Sequence, residues 1–382
     1  MIRGYVYRIK PSHTQIELIH KTFGCVRKMS NTLLFERETI YEMFHEYPEL
    51  LNAHQYLTPS RIKQDYEYMY EVDSQALTTA WLHLKNAYTN FFKGHNNPPQ
   101  YKSRHNPIQT YTTHTINNNI RIEGKNIKLP KLGFVKIKLH RVLPANCSIK
   151  AATVKQEAGK YYVSLRIEYE ETKKEVQDVQ RLIGLDYSLK SLYVDNEYNK
   201  ADYPMYYKES LKKLAKEQKR LSRRIRGSNR YSLQKLVVSK IHQKLKNQRK
   251  DFLHKASRYL VNNYEVICIE DLDLKEMKKT KHFRKSITDT SFGTFTRYLE
   301  YKTKDKGKTL VKIPKYYPST KTCSKCGKIN EVKLSQRTYE CSCGANLDRD
   351  HNAAKNIAGK GLEEYYKKEY GTDSLTWSSC AH

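Results

Sequence analysis

The chain has 382 residues, of which 70 are Lys or Arg and 40 are Asp or Glu, so its formal net charge is +30 at pH 7. A hydrophobic share of 38% excludes a disordered or fibrous protein, and no run approaches the ~18 apolar residues of a membrane helix. The charge excludes an ordinary metabolic enzyme as the first hypothesis and predicts a polyanionic partner, because phosphate binding releases counterions.

Two further features of composition point the same way. The 31 tyrosines, interleaved with Lys and Arg, suit stacking on nucleic-acid bases. The opening MIRGYVYRIKPSHTQ has no apolar signal core, so we expect a cytoplasmic protein.

The first half of the chain predicts a β-rich domain interrupted by helices. A strand-like start, GYVYRIKP, precedes helical periodicity over residues 14–43 and again over 59–92. The run HNNPPQYKSRH ends this helical part. Alternating residues then predict strands, with turns at 123–126 and near Gly159. We expect a small β-barrel with a helical insertion, followed by the charged linker ETKKEVQDVQR.

The second half begins with a buried strand in LIGLDYSLKSLYVD. Residues 208–258 predict long helices, broken near Gly227, that carry 18 Lys and Arg but 3 acids. Basic residues outnumber acidic ones by too much for i,i+4 ion pairs to balance their charge. A phosphate-contact surface is therefore a better interpretation than a solvated helix face. A second buried strand (VICIE), the loop-rich KKTKHFRKSITDT, a helix near 292–302, the strand TLVKIPK and a helix in DRDHNAAKNIAGKGL follow.

Four of the eight cysteines are close in sequence, at Cys323, Cys326, Cys341 and Cys343, and each pair is followed by Gly. Two such pairs predict a tetrahedral zinc site with no open position for chemistry. The alternative, two disulfides, is rare in an intracellular chain. One residue separates the second pair where two are commoner, so its ligand geometry is less certain. Cys268 lies in an apolar strand and is predicted to be inert core.

Three carboxylates stand at the ends of predicted elements. Asp186 and Glu270 end apolar strands, and Asp350 opens a helix. If they converge, they provide the oxygen ligands that Mg²⁺ prefers, and two such ions would hydrolyse a phosphodiester. Taken singly, each acid is equally explained as a strand-end solubility residue or a helix N-cap. Asp350, beside Asp348, is especially open to the capping explanation.

Several motifs together resemble one family. GLDYSLKS, ICIEDLDLK, the CSKCG and CSCG pairs and LDRDHNAAKNI resemble TnpB (OrfB), the RNA-guided nuclease of bacterial insertion sequences, which is ancestral to type V CRISPR effectors. The resemblance extends to YRIKP, FFKG…PPQYKS, NQRKDFLHKAS and YYPSTKTCSKCG, and so covers nearly the whole chain.

The resemblance implies a multi-domain fold of the α+β and α/β classes. Its parts would be a wedge-like β-barrel (1–12 and 98–172), a helical recognition insertion (13–97), a RuvC-like RNase H domain (181–318 and 346–382) and a zinc-bearing target-nucleic-acid-binding insertion (319–345). Two departures from the family are the Cys-x-Cys pair, which implies a looser zinc knuckle, and Tyr187, which follows Asp186 where many relatives have a small residue or Leu.

The resemblance also implies the site residues. Asp186, Glu270 and Asp350 would be the three RuvC carboxylates and hold two Mg²⁺ ions, and the four cysteines would hold one Zn²⁺. On the basic helices we expect nucleic-acid contacts from Arg220, Arg223, Arg224, Arg249 and Lys250.

The predicted function is RNA-guided cleavage of double-stranded DNA beside a short flanking motif, by a transposon protein. The expected partners are an omega-type guide RNA and target DNA, with one chain per RNA, no membrane, and action at the bacterial nucleoid. The alternatives are a guided repressor that does not cleave, or a transposase. Because all three acids are intact, the sequence favours the nuclease over the repressor.

Overall fold

The computed structural model describes residues 1–47, 57–170, 179–188, 191–273, 276, 291–333 and 336–371. The chain divides into two compact units, Met1–Glu171 and Thr172–His382. Three predicted features lie wholly or in part outside the described residues: the charged linker, the loop KKTKHFRKSITDT, and the end of the nuclease domain beyond residue 371.

The first unit contains one antiparallel sheet of seven strands. They are β1 (Ile2–Lys10), β2 (Ile108–His114), β3 (Arg121–Glu123), β4 (Asn126–Leu129), β5 (Gly133–Lys138), β6 (Ser148–Glu157) and β7 (Lys160–Glu168). Their order is β2-β6-β7-β1-β5-β4-β3. The predicted turns are present between β3 and β4 and between β6 and β7, where Gly159 has a φ of 74°. Among the described strands no pairing joins β2 to β3, so closure into a barrel stays a prediction.

Helices interrupt this sheet, as the sequence predicts, but one of them is shorter than predicted. Helix α1 (His13–Phe44) begins with a capping box between Ser12 and Gln15. The stretch predicted over 59–92 is helical but not continuous: it consists of α2 (Pro59–Asp65), a 3₁₀ turn (Glu67–Glu71) and α3 (Ser74–Phe92). The reason is a new start at Asp73, whose side chain accepts a hydrogen bond from the backbone N–H of Gln75.

The core of the first unit joins helix to sheet. Apolar residues of α1, including Phe23 and Met29, are buried in the same cluster as Tyr7 of β1 and Leu165 of β7. The alternating burial of β7 explains why its sequence reads as a strand with one covered face.

The second unit is built on a four-stranded sheet in the order β11-β10-β8-β9. Its strands are β8 (Leu182–Tyr187), β9 (Tyr193–Asp195), β10 (Val266–Glu270) and β11 (Thr309–Ile313). The central pairs β8·β10 and β10·β11 are parallel, whereas β9 is antiparallel to β8. The sequence did not separate β9 from the strand before it.

In the described part of this unit, four helices and a hairpin complete the fold. They are α4 (Tyr206–Ser222), α5 (Asn229–Asn263), α6 (Phe292–Lys306), the hairpin strands β12 (Thr338–Glu340) and β13 (Asn346–Asp348), and α7 (Arg349–Tyr370). The break near Gly227 that the sequence predicts is therefore present between α4 and α5. Among the described residues, no helix has the length and apolar character needed to cross a membrane.

Both faces of the parallel strands are covered, as their continuous apolar runs require. On β10, Ile267 and Ile269 pack in a cluster with residues of α5 and α6. Val266 and Cys268 pack in another cluster with Ile357 of α7. Cys268 is fully buried, and burial raises the pKa of its thiol, so the prediction that it is inert core is confirmed.

Two glycines bring α7 unusually close to the sheet. A Cβ on Gly184 of β8 would collide with the backbone of Ala354 and Ala358, and a Cβ on Gly361 of α7 would collide with the side chain of Cys268. This close packing fixes the start of α7 relative to the ends of β8 and β10, where the candidate site lies.

Candidate active site and metal centres

Asp186 and Glu270 lie at the same edge of the second sheet. Strands β8 and β10 are parallel neighbours in which Leu185 is paired with Ile269, and each acid follows directly after one of these residues. Because parallel strands end at one edge of the sheet, the register places the two carboxyl groups side by side.

Burial and neighbouring charge act strongly on Asp186. The residue is 8% exposed, and its pKa is raised well above its ordinary value, first by burial and then by the negative charges of Glu270 and Asp350. The nearby guanidinium of Arg349 opposes this shift. Both Glu270 and Asp350 are therefore close enough to Asp186 for their charge to affect its ionisation.

Glu270 is half-buried, and burial raises its pKa. The hydroxyl of Ser319 donates a hydrogen bond of 2.5 Å to Oε1 of Glu270, which opposes the shift. Among the described residues, neither Glu270 nor Asp186 forms an ion pair with a basic side chain.

The structure separates the roles of the two acids that flank the start of α7. The side chain of Asp348 accepts hydrogen bonds from the backbone of Asp350 and His351 and is the N-cap. Asp350 lies in the first turn, where Oδ1 is 3.2 Å from Arg349 and Oδ2 is 3.8 Å from Arg337. The capping explanation considered for Asp350 therefore belongs to Asp348.

The donor set at this edge fits divalent cations. It consists of carboxylate oxygens, which are the ligands of Mg²⁺, and in the described part of the chain the buried Asp186 and the half-buried Glu270 have no basic partner. The three carboxylates do not form a group as compact as the four thiols, whose sulfur atoms all lie within 4.8 Å of one another.

The four predicted cysteine ligands are brought together. The Sγ atoms of Cys323 and Cys343 are 3.6 Å apart, and so are those of Cys326 and Cys341. A tetrahedral ion with Zn–S bonds of about 2.3 Å requires sulfur atoms about 3.8 Å apart, so the cluster fits zinc. All four are free thiols, which excludes the disulfide alternative in this structure.

The shorter second pair does not loosen this cluster. After each pair, a glycine with positive φ, Gly327 or Gly344, donates its backbone N–H to the carbonyl of the first cysteine, at 2.9 Å and 3.0 Å. The backbone of Cys343 hydrogen-bonds to the sulfur of Cys341 and lowers the pKa of that thiol, whereas hydrogen bonds with the other cysteines raise the pKa of Cys326.

The five predicted nucleic-acid contacts differ in their surroundings. Arg223 and Arg224 are exposed in the connection between α4 and α5. Arg220 instead donates to Glu217 at 2.9 Å, and Glu217 also accepts from Gln234 of α5, so Arg220 takes part in joining the two helices. Arg249 and Lys250 lie on α5, and both already have an interaction partner.

Sequence reasoning missed three buried polar residues beside the site: Ser319, Asn352 and Asn356. The two asparagines are four positions apart on α7, and this spacing places them on one face of the helix. That periodicity was a usable signal, whereas nothing in the sequence marks Ser319. The ring of Tyr187 packs with its centroid 4.3 Å from that of Phe292.

Three family models match consecutive parts of the chain. The model described as "Helix-turn-helix domain" of OrfB from IS605 matches residues 1–46, although this segment consists of β1 and α1 in the structure. The OrfB IS605 model described as "Probable transposase" matches 164–281, and "Cas12f1-like, TNB domain" matches 292–357.

Curated relatives are similar along almost the whole chain. A protein of Streptomyces pristinaespiralis named "Putative RNA-guided DNA endonuclease" is 30% identical over 94% of this chain and 89% of its own length. The protein "Putative RNA-guided DNA endonuclease InsQ" of Escherichia coli K12 is 26% identical over 94% of this chain and 92% of its own.

One solved structure is similar in fold. The Cas12f1 chain in the cryo-EM structure of a Cas12f1–sgRNA–target DNA complex superposes with a TM-score of 0.57 at 15% identity, covering 90% of this chain and 82% of that one. Taken with the OrfB matches and the relative that is 30% identical, the sequence comparisons show that this chain belongs to the TnpB family.

Proposed function

We propose that the chain is an RNA-guided DNA endonuclease of a transposable element. It cuts double-stranded DNA complementary to its guide, beside a short flanking motif. The observation that carries the proposal is the placement of Asp186, Glu270 and Asp350 at one edge of the sheet, in a member of a family whose relatives are named for this activity.

The three carboxylates would hold two Mg²⁺ ions. When bound, such ions activate a water molecule and stabilise the leaving 3′ oxygen of a phosphodiester. The protein's own contribution is to bury Asp186, to fix Asp186 and the half-buried Glu270 on adjacent strands, and to hold Asp350 in a helical turn capped by Asp348.

The zinc site would have a structural function. Four thiolates fill a tetrahedral coordination shell and leave no position for water or substrate. A groove of about 970 Å³ between the cysteine loops and α7 is lined by Lys325 and Lys355, whose charge suits a nucleic-acid strand.

Recognition would be divided between base pairing and protein contacts. Guide RNA pairs with the target strand, and the protein holds the heteroduplex by its backbone. The exposed arginines between α4 and α5 would contact phosphates, while the strands and helices of residues 1–172 would read the flanking motif. Residues 319–345 would act as the target-nucleic-acid-binding insertion of a RuvC-like domain.

The test is incubation of the full-length chain and its native guide RNA with Mg²⁺ and a plasmid library that carries the target next to randomised flanking bases. The proposal expects double-strand cleavage restricted to plasmids that share a flanking motif. Binding without cleavage would identify a guided repressor, and joined DNA ends would identify a transposase. Asp186→Ala is the matched control and should bind the same plasmids without cutting them.

A further inference from the structure

Ser319 connects the carboxylate edge to helix α7. The residue is 3% exposed, and its hydroxyl, backbone carbonyl and backbone N–H all form hydrogen bonds. Its hydroxyl donates to Glu270, as described above, and its backbone carbonyl accepts a hydrogen bond of 2.7 Å from Nδ2 of Asn356. Ser319 is therefore hydrogen-bonded to the carboxylate of Glu270 through its side chain and to Asn356 of α7 through its backbone.

The two asparagines of α7 continue this connection to the cysteine cluster. Nδ2 of Asn356 also contacts the carbonyl oxygen of Thr322 at 2.6 Å, and Nδ2 of Asn352 contacts the same oxygen at 2.7 Å. Oδ1 of Asn352 accepts a hydrogen bond of 3.0 Å from the backbone nitrogen of Ser324. Thr322 and Ser324 are the residues on either side of Cys323.

A series of hydrogen bonds thus runs from the two residues that flank the first cysteine ligand to Glu270. Asn352 is fully buried and Asn356 is 7% exposed. Because a buried amide is costly to leave without partners, these contacts hold the segment from Ser319 to Ser324 in one arrangement. Hydrogen-bond partners of a ligating carboxylate fix its orientation, which in turn sets the affinity for the metal.

We infer that Ser319 is a positioning residue for Glu270. Asn352 and Asn356 couple the position of Ser319 to the cysteine cluster. The zinc-binding loop thereby controls binding of divalent ions at the carboxylates. The inference rests on the proposed function, since it assigns Glu270 to the metal site of the nuclease. It adds to that function that ion binding at the carboxylates depends on the loop that binds zinc.

The test is a Mg²⁺ titration of single-turnover cleavage by the full-length chain with guide RNA. Ser319→Ala should raise the half-saturating Mg²⁺ concentration about tenfold, the lower end of the usual effect of such partners, and leave the rate at saturation nearly unchanged. Ser319→Thr keeps the hydroxyl and should restore the wild-type titration. Thr320→Ala, at the exposed position next to Ser319, is the matched control.

A second readout does not depend on cleavage. Mn²⁺ bound to the guide complex is measured by electron paramagnetic resonance, with the Asp186→Ala complex giving the background from RNA. Ser319→Ala and Asn356→Leu should each lose affinity for the Mn²⁺ above this background while keeping about one zinc per chain.

The outcomes separate the two proposals. If Asp186→Ala still cuts, the proposed function of the carboxylate site is wrong. If Asp186→Ala is inactive but Ser319→Ala shows wild-type half-saturation and a lower maximum rate, the inference alone is overturned and Ser319 has a purely structural role. An unaltered Mn²⁺ affinity in Asn356→Leu would likewise overturn the coupling to the cysteine loop.

Discussion

Oδ1 of Asp348 accepts a hydrogen bond of 3.0 Å from the backbone nitrogen of Asp350. One acid of the sequence Asp-Arg-Asp thereby caps helix α7, and the other lies in the first turn with its carboxylate beside Arg349. Two neighbouring acids that look equivalent in the sequence therefore have different partners in the fold.

This difference predicts opposite results for the two acids. Asp350→Asn should reduce cleavage at least about 100-fold, since even the outer partners of metal ligands are worth about 10–100-fold. Asp348→Asn retains a good N-cap and should cleave nearly normally, whereas Asp348→Ala should lose about 0.5–2 kcal/mol of stability. Cleavage assays and thermal unfolding of the three variants measure this. A cleavage defect in Asp348→Asn as large as that of Asp350→Asn would make Asp348 the ligand.

The raised pKa of Asp186 predicts that its charge destabilises the fold when no metal is bound. Burial, Glu270 and Asp350 disfavour the ionised form, so Asp186→Asn should raise the Tm at neutral pH without divalent ions. In a domain of about 150–250 residues, each kcal/mol corresponds to about 2–4 °C. The gain should shrink as the pH falls towards about 4, where an ordinary Asp becomes protonated in the unfolded chain as well.

Added Mg²⁺ provides the control for this measurement. It should stabilise the wild type more than Asp186→Asn, because binding to the folded state alone adds stability. Thermal unfolding followed by intrinsic fluorescence, with and without Mg²⁺, tests both effects. A Tm for Asp186→Asn at or below that of the metal-free wild type would contradict the prediction that the charge of Asp186 destabilises the metal-free fold.

The close approach of α7 to the sheet predicts that Gly184→Ala is harmful. The new Cβ collides with backbone atoms of α7, which cannot rotate away, so we expect a loss of about 1–3 kcal/mol and a large fall in cleavage as Asp350 moves. Gly4→Ala in β1 is the matched control, because the nearest atom to its new Cβ is 4.0 Å away. Equal stability of the two variants in denaturant titrations would show that α7 can shift at no cost.

The cysteine cluster predicts about one zinc per chain. Cys326→Ser should lower the zinc content and destabilise the loop, because the free energy of metal binding is partly folding free energy. Cys147→Ser, a free cysteine of the first unit, is the control and should retain the metal. Metal analysis of protein purified under reducing conditions decides the matter, and full zinc content in Cys326→Ser would remove that residue from the site.

Much of the second unit could be predicted because local signals agree with the fold. The apolar runs of β8 and β10, the glycines after each cysteine pair and the basic helices were all visible in the sequence. What the sequence could not show was proximity: 84 residues separate Asp186 from Glu270, and only the parallel register makes them neighbours. Ser319 was missed for the same reason, since its partners Glu270 and Asn356 are 49 and 37 positions away.

Elsewhere local signals were incomplete. The helical pattern over residues 59–92 is continuous, but Asp73 competes for the backbone of Gln75 and starts a new helix. Arg220 has the same residue type and neighbourhood as Arg223, yet a buried Glu217 between α4 and α5 pairs with it. Such pairing depends on how two helices pack, which charge counting along the chain does not reveal.

The connection between α4 and α5 gives the last prediction, which tests the nucleic-acid partner independently of cleavage. If Arg223 and Arg224 contact phosphates, the affinity for guide RNA should fall with salt at about 0.9 per neutralised phosphate for duplex and about 0.7 for single strands, on logarithmic axes. Arg223→Gln with Arg224→Gln should flatten that slope by up to about two contacts, equally for different guide sequences, because phosphate contacts carry no sequence information.

Arg220→Gln is the matched control: its guanidinium is paired with Glu217, so the slope should change less. Gln keeps good helix propensity, so a folding defect is not expected. Filter binding across a salt series measures the slopes, and an unchanged slope in the double variant would assign these exposed arginines to solvent.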